Sequence, residues 1–265
     1  TCVAFVAGAL GWWGPKFIQL GLKLQPGSEN ISLSDVSLKF GVIAMAAGLI
    51  GVPGGSMLAQ YLRRIWPQAD PYICAIGLLI SAPILFAASL LASSNSFGCF
   101  TLIFIGEVFL NLNWSIVADM LLYVVTPTRR STAEALQILV CHAFGDAGSP
   151  YLIGVISDAL KIVLSGTTAA VALTSTISNT ASPPSPEVDF HSLQYALFTT
   201  CFVEVLGGFF FLFTALYIVR DKQNAERELE ALPAANDETR KQYWIDEIRV
   251  VGNNNGEFDP LFRAR

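Results

Sequence analysis

Ionisable and amide side chains interrupt two long apolar runs of this sequence, and their spacing places them on helix faces. Residues at i, i+4 and i+7 lie on one side of a helix. An imidazole at such a position can bind and release protons near neutral pH, and a carboxylate beside it can share that proton or contact a polar group of a ligand. The two sets are Glu107, Asn111 and Trp114 in the first run, and His142, Asp146 and Ser149 in the second.

The composition indicates that lipid is the solvent of these runs. The chain is 53% hydrophobic and 14% charged, with a mean hydropathy of +0.52, whereas soluble domains carry about 25% charged residues. The calculated pI of about 5.0 and the absence of a basic patch argue against nucleic-acid binding. The lipid bilayer is therefore the expected partner of the apolar runs.

Apolar runs long enough to cross about 30 Å of hydrocarbon predict an all-α membrane protein with six transmembrane helices. A polar tail, residues 221–265, follows this bundle of residues 1–220. The sequence begins at Thr1 inside an apolar run, which predicts that an N-terminal part of the protein precedes it. The predicted spans are about 1–24, 38–62, 72–93, 97–125, 131–163 and 191–219.

Basic residues near the ends of these spans predict the orientation of the bundle. One side collects Arg63, Arg64, Arg129, Arg130, Arg220 and Lys222, and the other has Lys23, Lys39 and Lys161. The positive-inside rule places the first side and the C-terminal tail in the cytosol. The sequon at Asn30 and the Ser/Thr/Pro-rich linker at 165–189 then lie outside or in a lumen, which agrees with this orientation.

An ionised side chain facing lipid costs at least about 2.5 kcal/mol, so the two polar faces are expected to line a cavity. Counted from the turn that joins the two spans, Asn113 or Trp114 and His142 lie roughly 17 Å deep, near the midplane. Transporters built from repeats hold their substrates at that depth. The sequence therefore predicts a substrate and proton cavity there.

Each of these residues also has a structural interpretation. His142 either handles protons or a substrate head group, or is a neutral histidine bonded to a neighbouring carbonyl. Glu107 either accepts protons or forms a structural hydrogen bond with Asn111. Lys16, which follows Pro15, either attracts an anionic group or pairs with Glu107, or extends to the interface.

For the Asp119 cluster, Trp13 and Glu204, the sequence addresses location in the bundle rather than chemistry at a bound ligand. Asp119 lies near the cytosolic end and is predicted to form a charge cluster with Arg129, Arg130 and Glu134, which can act as a gate when helices rock apart. Trp13 belongs either to an aromatic belt or to the cavity wall. For Glu204, deep in the sixth span, facing protein and facing lipid both remain open.

Patterns of known enzymes are missing from the sequence, which has no G-x-S-x-G, H-E-x-x-H or P-loop motif. The five cysteines are isolated in apolar runs, without a C-x-x-C pair. We therefore expect no catalytic residue, no metal site and no cofactor.

Two long segments of the chain have a distinctive sequence. The first is IVAD at 116–119 followed by LLYVV-x-PTRRSTAEA at 121–135, and the second is GDAGSPYLIG-x-ISD at 145–158. Both closely resemble the spinster family of lysolipid and sphingolipid transporters in the major facilitator superfamily. The resemblance is strongest over 98–160, and the Trp-x-x-Pro kink at 12–15 and the turn at 69–71 extend it across residues 1–220.

The resemblance implies that the chain is the second half of a twelve-helix transporter, whose first half is a partner missing from this sequence. It implies alternating access, a lysophospholipid, sphingosine or sphingosine phosphate as substrate, and coupling to protons. Lysosomal or late endosomal membranes are the expected location, ahead of the plasma membrane. Because one fold carries many substrates, a sugar or organic-anion carrier and a non-transporting scaffold remain alternatives.

Overall fold

The structure, a computed structural model, describes residues 1–26, 30–165, 185–230 and 245. Within these residues the backbone forms helices and turns, and no strand is present. The prediction of an all-α protein is confirmed. The helices are α1 Cys2–Lys23, α2 Leu33–Arg63, α3 Ala69–Leu91, α4 Ser96–Asn111, α5 Asn113–Val124, α6 Arg130–Cys141, α7 Gly148–Leu164 and α8 Pro186–Glu230.

Among the described residues, five helical segments are long and apolar enough to cross a membrane: Leu33–Arg63, Ala69–Leu91, Ser96–Val124, Pro127–Leu164 and Pro186–Leu229. Helix α1 is not among these five because the GWWGPK stretch and Gln19 interrupt its apolar run. It nevertheless packs against α8, α2 and α7. The bundle therefore consists of these five segments and α1.

Helix α8 lies against α3, α1 and α7, while α4 lies between α3 and α2. Large apolar side chains with less than 2% of their surface exposed fill the space between them, among them Ile18, Leu78 and Ile153. At one end of this core Phe17 of α1 stacks on Phe190 of α8, with ring centroids 5.2 Å apart. Burial of these side chains is what fixes the helix positions.

Small residues let α2 approach the junction of α4 and α5, as the Gly51-xxx-Gly55 spacing predicts. A Cβ added to Gly51 would lie 2.7 Å from the Val108 carbonyl oxygen. A Cβ added to Gly55 would lie 2.3 Å from the Leu112 carbonyl oxygen. Any side chain at these two positions would force the helix backbones apart.

Two predicted spans are not continuous α-helices. The fourth is broken at Leu112, which separates α4 from α5. The fifth begins with a 3₁₀ turn, Pro127–Arg129, and contains a π turn, His142–Asp146, between α6 and α7. In the π turn the amide of Ala147 donates to the carbonyl of His142, five residues back, at 2.9 Å.

Several helices are longer than the spans predicted from hydropathy. Helix α2 begins five residues before the predicted start at 38, because the hydroxyl of Ser32 accepts from the amide of Ser34 at 3.2 Å and caps the helix. Helix α8 continues past 219 to Glu230, so the first part of the predicted tail is helical. Most of the predicted linker at 165–189 and of the tail beyond 230 lies outside the described residues.

Candidate functional site

A cavity of about 520 Å³ opens between the start of α1, the helices α5 and α6, and the middle of α8. Its size falls within the range of small-molecule sites, roughly 300–1,000 Å³. Aromatic and aliphatic side chains form most of the wall, and a few polar groups converge on it. The polar groups are Thr1, Asn113, Glu134, Gln137, His142 and Thr214, and the aromatic ones are Trp114, Phe210 and Phe211.

Asn113 is the most deeply buried polar residue of this cavity, with none of its surface exposed. Its amide nitrogen Nδ2 donates to the carbonyl oxygen of Leu110 at 2.9 Å. Its oxygen Oδ1 has no hydrogen-bond partner among the described residues. A buried polar atom without a partner is costly. Because this oxygen is fully enclosed, a ligand or water can bond to it only when the helices around it move apart.

His142 and Asp146 form a pair at the π turn, in which ring nitrogen Nδ1 bonds to carboxylate oxygen Oδ2. Their side chains are 57% and 36% exposed, respectively. Gly8 of α1 packs against the backbone of Asp146, since a Cβ there would lie 2.6 Å from the Asp146 Cα. The pair is therefore supported by α1 from behind, and His142 itself borders the cavity.

The predicted polar face of the fourth span is divided by the break at Leu112. Trp114 lies beyond the break and lines the cavity, but Glu107 and Asn111 precede it and do not. Asn111 donates from Nδ2 to the Glu107 carbonyl oxygen at 2.8 Å and to Glu107 Oε2 at 3.3 Å. This is the structural alternative for Glu107, which is only 7% exposed.

Trp13, Lys16 and Ser149 are not part of the cavity wall. The indole nitrogen of Trp13 donates to the carbonyl oxygen of Pro150 at 2.8 Å, which ties α1 to α7. Lys16 is exposed and forms no ion pair with Glu107. Ser149 is fully buried against Gly8 rather than directed at His142.

The charge cluster predicted around Asp119 has different members. Asp119 pairs with Arg63 of α2 at 3.3 Å, and the same guanidinium pairs with the fully buried Asp70 of α3 at 2.8 Å. The hydroxyl of Tyr123 donates to Asp70 at 2.8 Å. Three helices, α2, α3 and α5, are therefore joined at one end of the bundle through a single arginine.

The residues predicted to partner Asp119 lie elsewhere. Arg129 is exposed in the 3₁₀ turn. Arg130 donates from Nε to the carbonyl oxygen of Val125 at 3.2 Å, so it supports the turn. Glu134, on α6, borders the cavity instead.

Arg63, Asp70 and Tyr123 were missed by the sequence reasoning. A signal was present, since Arg63 directly follows the predicted span 38–62 and Asp70 lies two residues before the predicted span 72–93. A carboxylate in the first turn of a helix is favoured by the helix dipole, and an arginine nearby completes its neutralisation. The connection to Asp119, 56 residues away, has no such local signal.

The chain is similar in sequence to spinster proteins of animals and in fold to a solved structure. No protein-family profile matches the chain. Protein spinster of Drosophila melanogaster is 54% identical, with 93% of this chain and 45% of that protein covered. Protein spinster homolog 3 of Danio rerio is 47% identical over 85% of this chain and 43% of that protein.

Protein spinster homolog 1 of Homo sapiens is 44% identical over 88% of this chain and 42% of that protein. The chain thus spans less than half the length of these relatives. A crystal structure of a bacterial homologue of the human lysosomal transporter Spinster, inward-facing and unoccupied, superposes with a TM-score of 0.68. It is 19% identical over 83% of this chain and 46% of that chain, a likeness that concerns the fold.

Proposed function

Since this chain is homologous to the spinster proteins over about nine tenths of its length, and has the fold of half a major facilitator transporter, we propose that it forms the second half of a carrier of amphiphilic lipids. The substrates are lysophospholipids or sphingolipids such as sphingosine and its phosphate. The observation that carries the proposal is the cavity, whose polar groups are few and whose remaining wall is apolar and aromatic.

The lining favours an amphiphile over a sugar. Phe210, Phe211 and Trp114 offer aromatic faces along which an acyl or sphingoid chain can pack. A sugar would need a polar partner for each of several hydroxyl groups, and the cavity provides few. The head group would meet Asn113 and His142, whereas Asn111 and Lys16, which were also expected there, do not line the cavity.

Protons are proposed to act through His142 and Asp146. A proton on the imidazole converts their hydrogen bond into an ion pair, which is stronger than the neutral contact. Because α1 packs directly against the backbone of Asp146, a change in this bond can alter how α1 and the π turn fit together. Transport is coupled to protons only if the inward-facing and outward-facing states of the transporter bind this proton with different affinities.

The cluster of Arg63, Asp70, Asp119 and Tyr123 is proposed as the gate at the cytosolic end, in place of the set expected from the sequence. It holds α2, α3 and α5 together in this conformation. Opening that end would separate Arg63 from at least one carboxylate. We place the cluster, the basic residues near it and the C-terminal tail in the cytosol, and the protein in lysosomal or late endosomal membranes.

The test is flux of labelled lysophospholipid and sphingosine into proteoliposomes that contain the full-length transporter, with and without a pH gradient. We expect saturable lipid flux that responds to the gradient. H142A should abolish the pH response. H191A is the matched control, because His191 is the second of the two histidines and bonds to Gln194 away from the cavity.

Each alternative has its own outcome in the same assay. Saturable sugar or organic-anion flux without lipid flux would replace the proposed substrate. Absence of any flux, together with a partner that binds the tail, would indicate a scaffold. Lipid flux that survives deletion of residues 231–265 would exclude that role, and imaging of the tagged protein beside a lysosomal marker tests the location.

A further inference from the structure

Glu204 lies in the middle of α8 and has none of its surface exposed. Its oxygen Oε1 lies 3.2 Å from the hydroxyl oxygen of Ser81 in α3. The same hydroxyl oxygen lies 3.0 Å from the carbonyl oxygen of Gly106 in α4. Three helices therefore meet at one hydroxyl group, and Glu204 is not among the residues that line the cavity.

The junction has too few hydrogen-bond donors to stabilise an ionised carboxylate. Ser81 has one hydroxyl proton, and the Gly106 carbonyl can only accept a hydrogen bond. When Ser81 donates to Gly106, its contact with Glu204 is a hydrogen bond only if Glu204 carries a proton on Oε1 and donates to the Ser81 oxygen. The second oxygen, Oε2, has no partner among the described residues.

The charges around Glu204 do not compensate for an anion. Within the described part of the chain no Lys, Arg or His forms an ion pair with Glu204. Helix α4 presents a second acid, Glu107, α3 presents the neutral Ser81, and α8 itself presents the thiol of Cys201. Helices α1, α5 and α7 also pack on α8, but none of their described residues forms an ion pair with Glu204; Lys161 of α7 pairs instead with Asp189 near the start of α8 at 3.8 Å.

A buried carboxylate without a cation is among the costliest groups a protein can hold, whereas a neutral acid leaves only one carbonyl oxygen unpaired. We propose that Glu204 is a proton-binding site inside the helical bundle, separate from His142 and Asp146, whose proton bridges Glu204 Oε1 and the Ser81 hydroxyl. The bound proton makes the junction of α3, α4 and α8 a complete donor and acceptor chain from Glu204 through Ser81 to Gly106.

The experiment is infrared difference spectroscopy of the full-length protein in lipid nanodiscs at neutral pH, comparing the wild type with E204Q. We expect the variant to lose a carbonyl stretch of a protonated carboxylic acid. Loss of a carboxylate stretch instead, or an unchanged carboxylic-acid region, would overturn the proposal. E187Q is the matched control, because Glu187 is exposed on the same helix and should lose a carboxylate stretch.

A second variant keeps the test decisive if E204Q does not fold. S81A removes the acceptor of the proposed proton but leaves the carboxyl group in place. The carbonyl stretch of the protonated acid should persist and move to higher frequency, because its hydroxyl is no longer hydrogen-bonded. An unmoved band in S81A would show that Ser81 does not share this proton. Neither measurement depends on transport, so the result is independent of the proposed function.

Discussion

Asn113 is the residue whose position says most about recognition in the cavity. Its side chain is held at one end by the Leu110 carbonyl and leaves its oxygen free at the other. An amide fixed in this way has already lost its rotational freedom, so a ligand hydroxyl or ammonium group would meet a preorganised acceptor once the surrounding helices part and expose the oxygen. The neighbouring amide, Asn111, donates its hydrogen bonds to Glu107 outside the cavity.

We predict that N113A raises the KM for the transported lipid about 2- to 12-fold, which corresponds to the roughly 0.5–1.5 kcal/mol of a neutral hydrogen bond. The measurement is initial flux against lipid concentration in proteoliposomes. N111A is the control and should lower the melting temperature in detergent while KM stays near the wild-type value. Equal increases in KM for both variants would contradict the assignment of Asn113 to the cavity.

At the scale of helices, the break at Leu112 and the π turn decide which side chains reach the cavity. The break at Leu112 follows from no local rule, because residues 107–125 contain no glycine or proline that would interrupt a helix. The π turn differs, since Gly145 lies within it and Gly148 and Pro150 follow it, and these residues predict a bend in the fifth span. The break occurs where α2 approaches the Leu112 carbonyl through Gly55. The sequence therefore predicts the helix but not its interruption, which depends on a neighbour more than 50 residues away.

The close approach of α2 to the Leu112 carbonyl at Gly55 predicts that a side chain at this position destabilises the protein. G55A should lower the free energy of unfolding by about 1–3 kcal/mol, the usual cost of overpacking, because the added methyl meets backbone atoms that cannot rotate away. G54A is the adjacent control, since the nearest atom to its added Cβ is 4.0 Å away. Thermal unfolding in detergent compares the two. Similar melting temperatures for both variants would argue against this packing.

The cluster at the end of α2 predicts a different effect on stability. R63A leaves Asp70 fully buried without its cation, so we expect a loss of about 3–5 kcal/mol, reduced by whatever hydration the opened site admits. Arg64 is exposed beside it and supplies the control R64A. The readout is again thermal unfolding. The accessibility of a cysteine placed at Ser115 measures opening, because the Ser115 hydroxyl of α5 donates to the Val52 carbonyl oxygen of α2 at 3.2 Å. Equal stability of R63A and R64A would contradict the proposed gate.

At the scale of the whole molecule, the bundle has two chemically different ends. Arg63, Asp70 and Asp119 are joined at one end, where Lys222 also approaches the ring of Tyr123 at 5.6 Å. The other end is closed by glutamine side chains that donate to backbone carbonyls, as Gln25 does to Ala92 at 3.3 Å. Ends of this kind suit the two sides of a membrane, and the positive-inside rule is the basis for our proposal that the basic end faces the cytosol.

We predict that a cysteine introduced at Arg64 is labelled by an impermeant maleimide only from the cytosolic side, and one at Asn30 only from the other side. Both positions are exposed at opposite ends of the bundle. The five native cysteines are first replaced, and labelling is compared in intact and permeabilised cells. Labelling of both positions from the same side would contradict the orientation.

Composition and hydropathy were sufficient to predict the fold class, because membrane helices are long apolar segments and satisfy their own backbone hydrogen bonds. The i, i+4 spacing also anticipated the contact between His142 and Asp146, which depends on one local segment. The partners of Asp119 and the burial of Glu204 were not predictable in the same way. They depend on which faces of distant helices meet, and hydropathy carries no information on that.

The π turn also has a consequence for the phase of the fifth helical segment. A π turn is an α-helix with one residue inserted, and each residue of an α-helix turns the chain by roughly 100°. Deleting one residue between 142 and 146 would restore a plain helix and rotate α7 by that angle relative to α6. Ile153, now completely buried, would leave the core. The inserted residue thus sets the phase that directs His142 to the cavity and Ile153 to the core of the same segment.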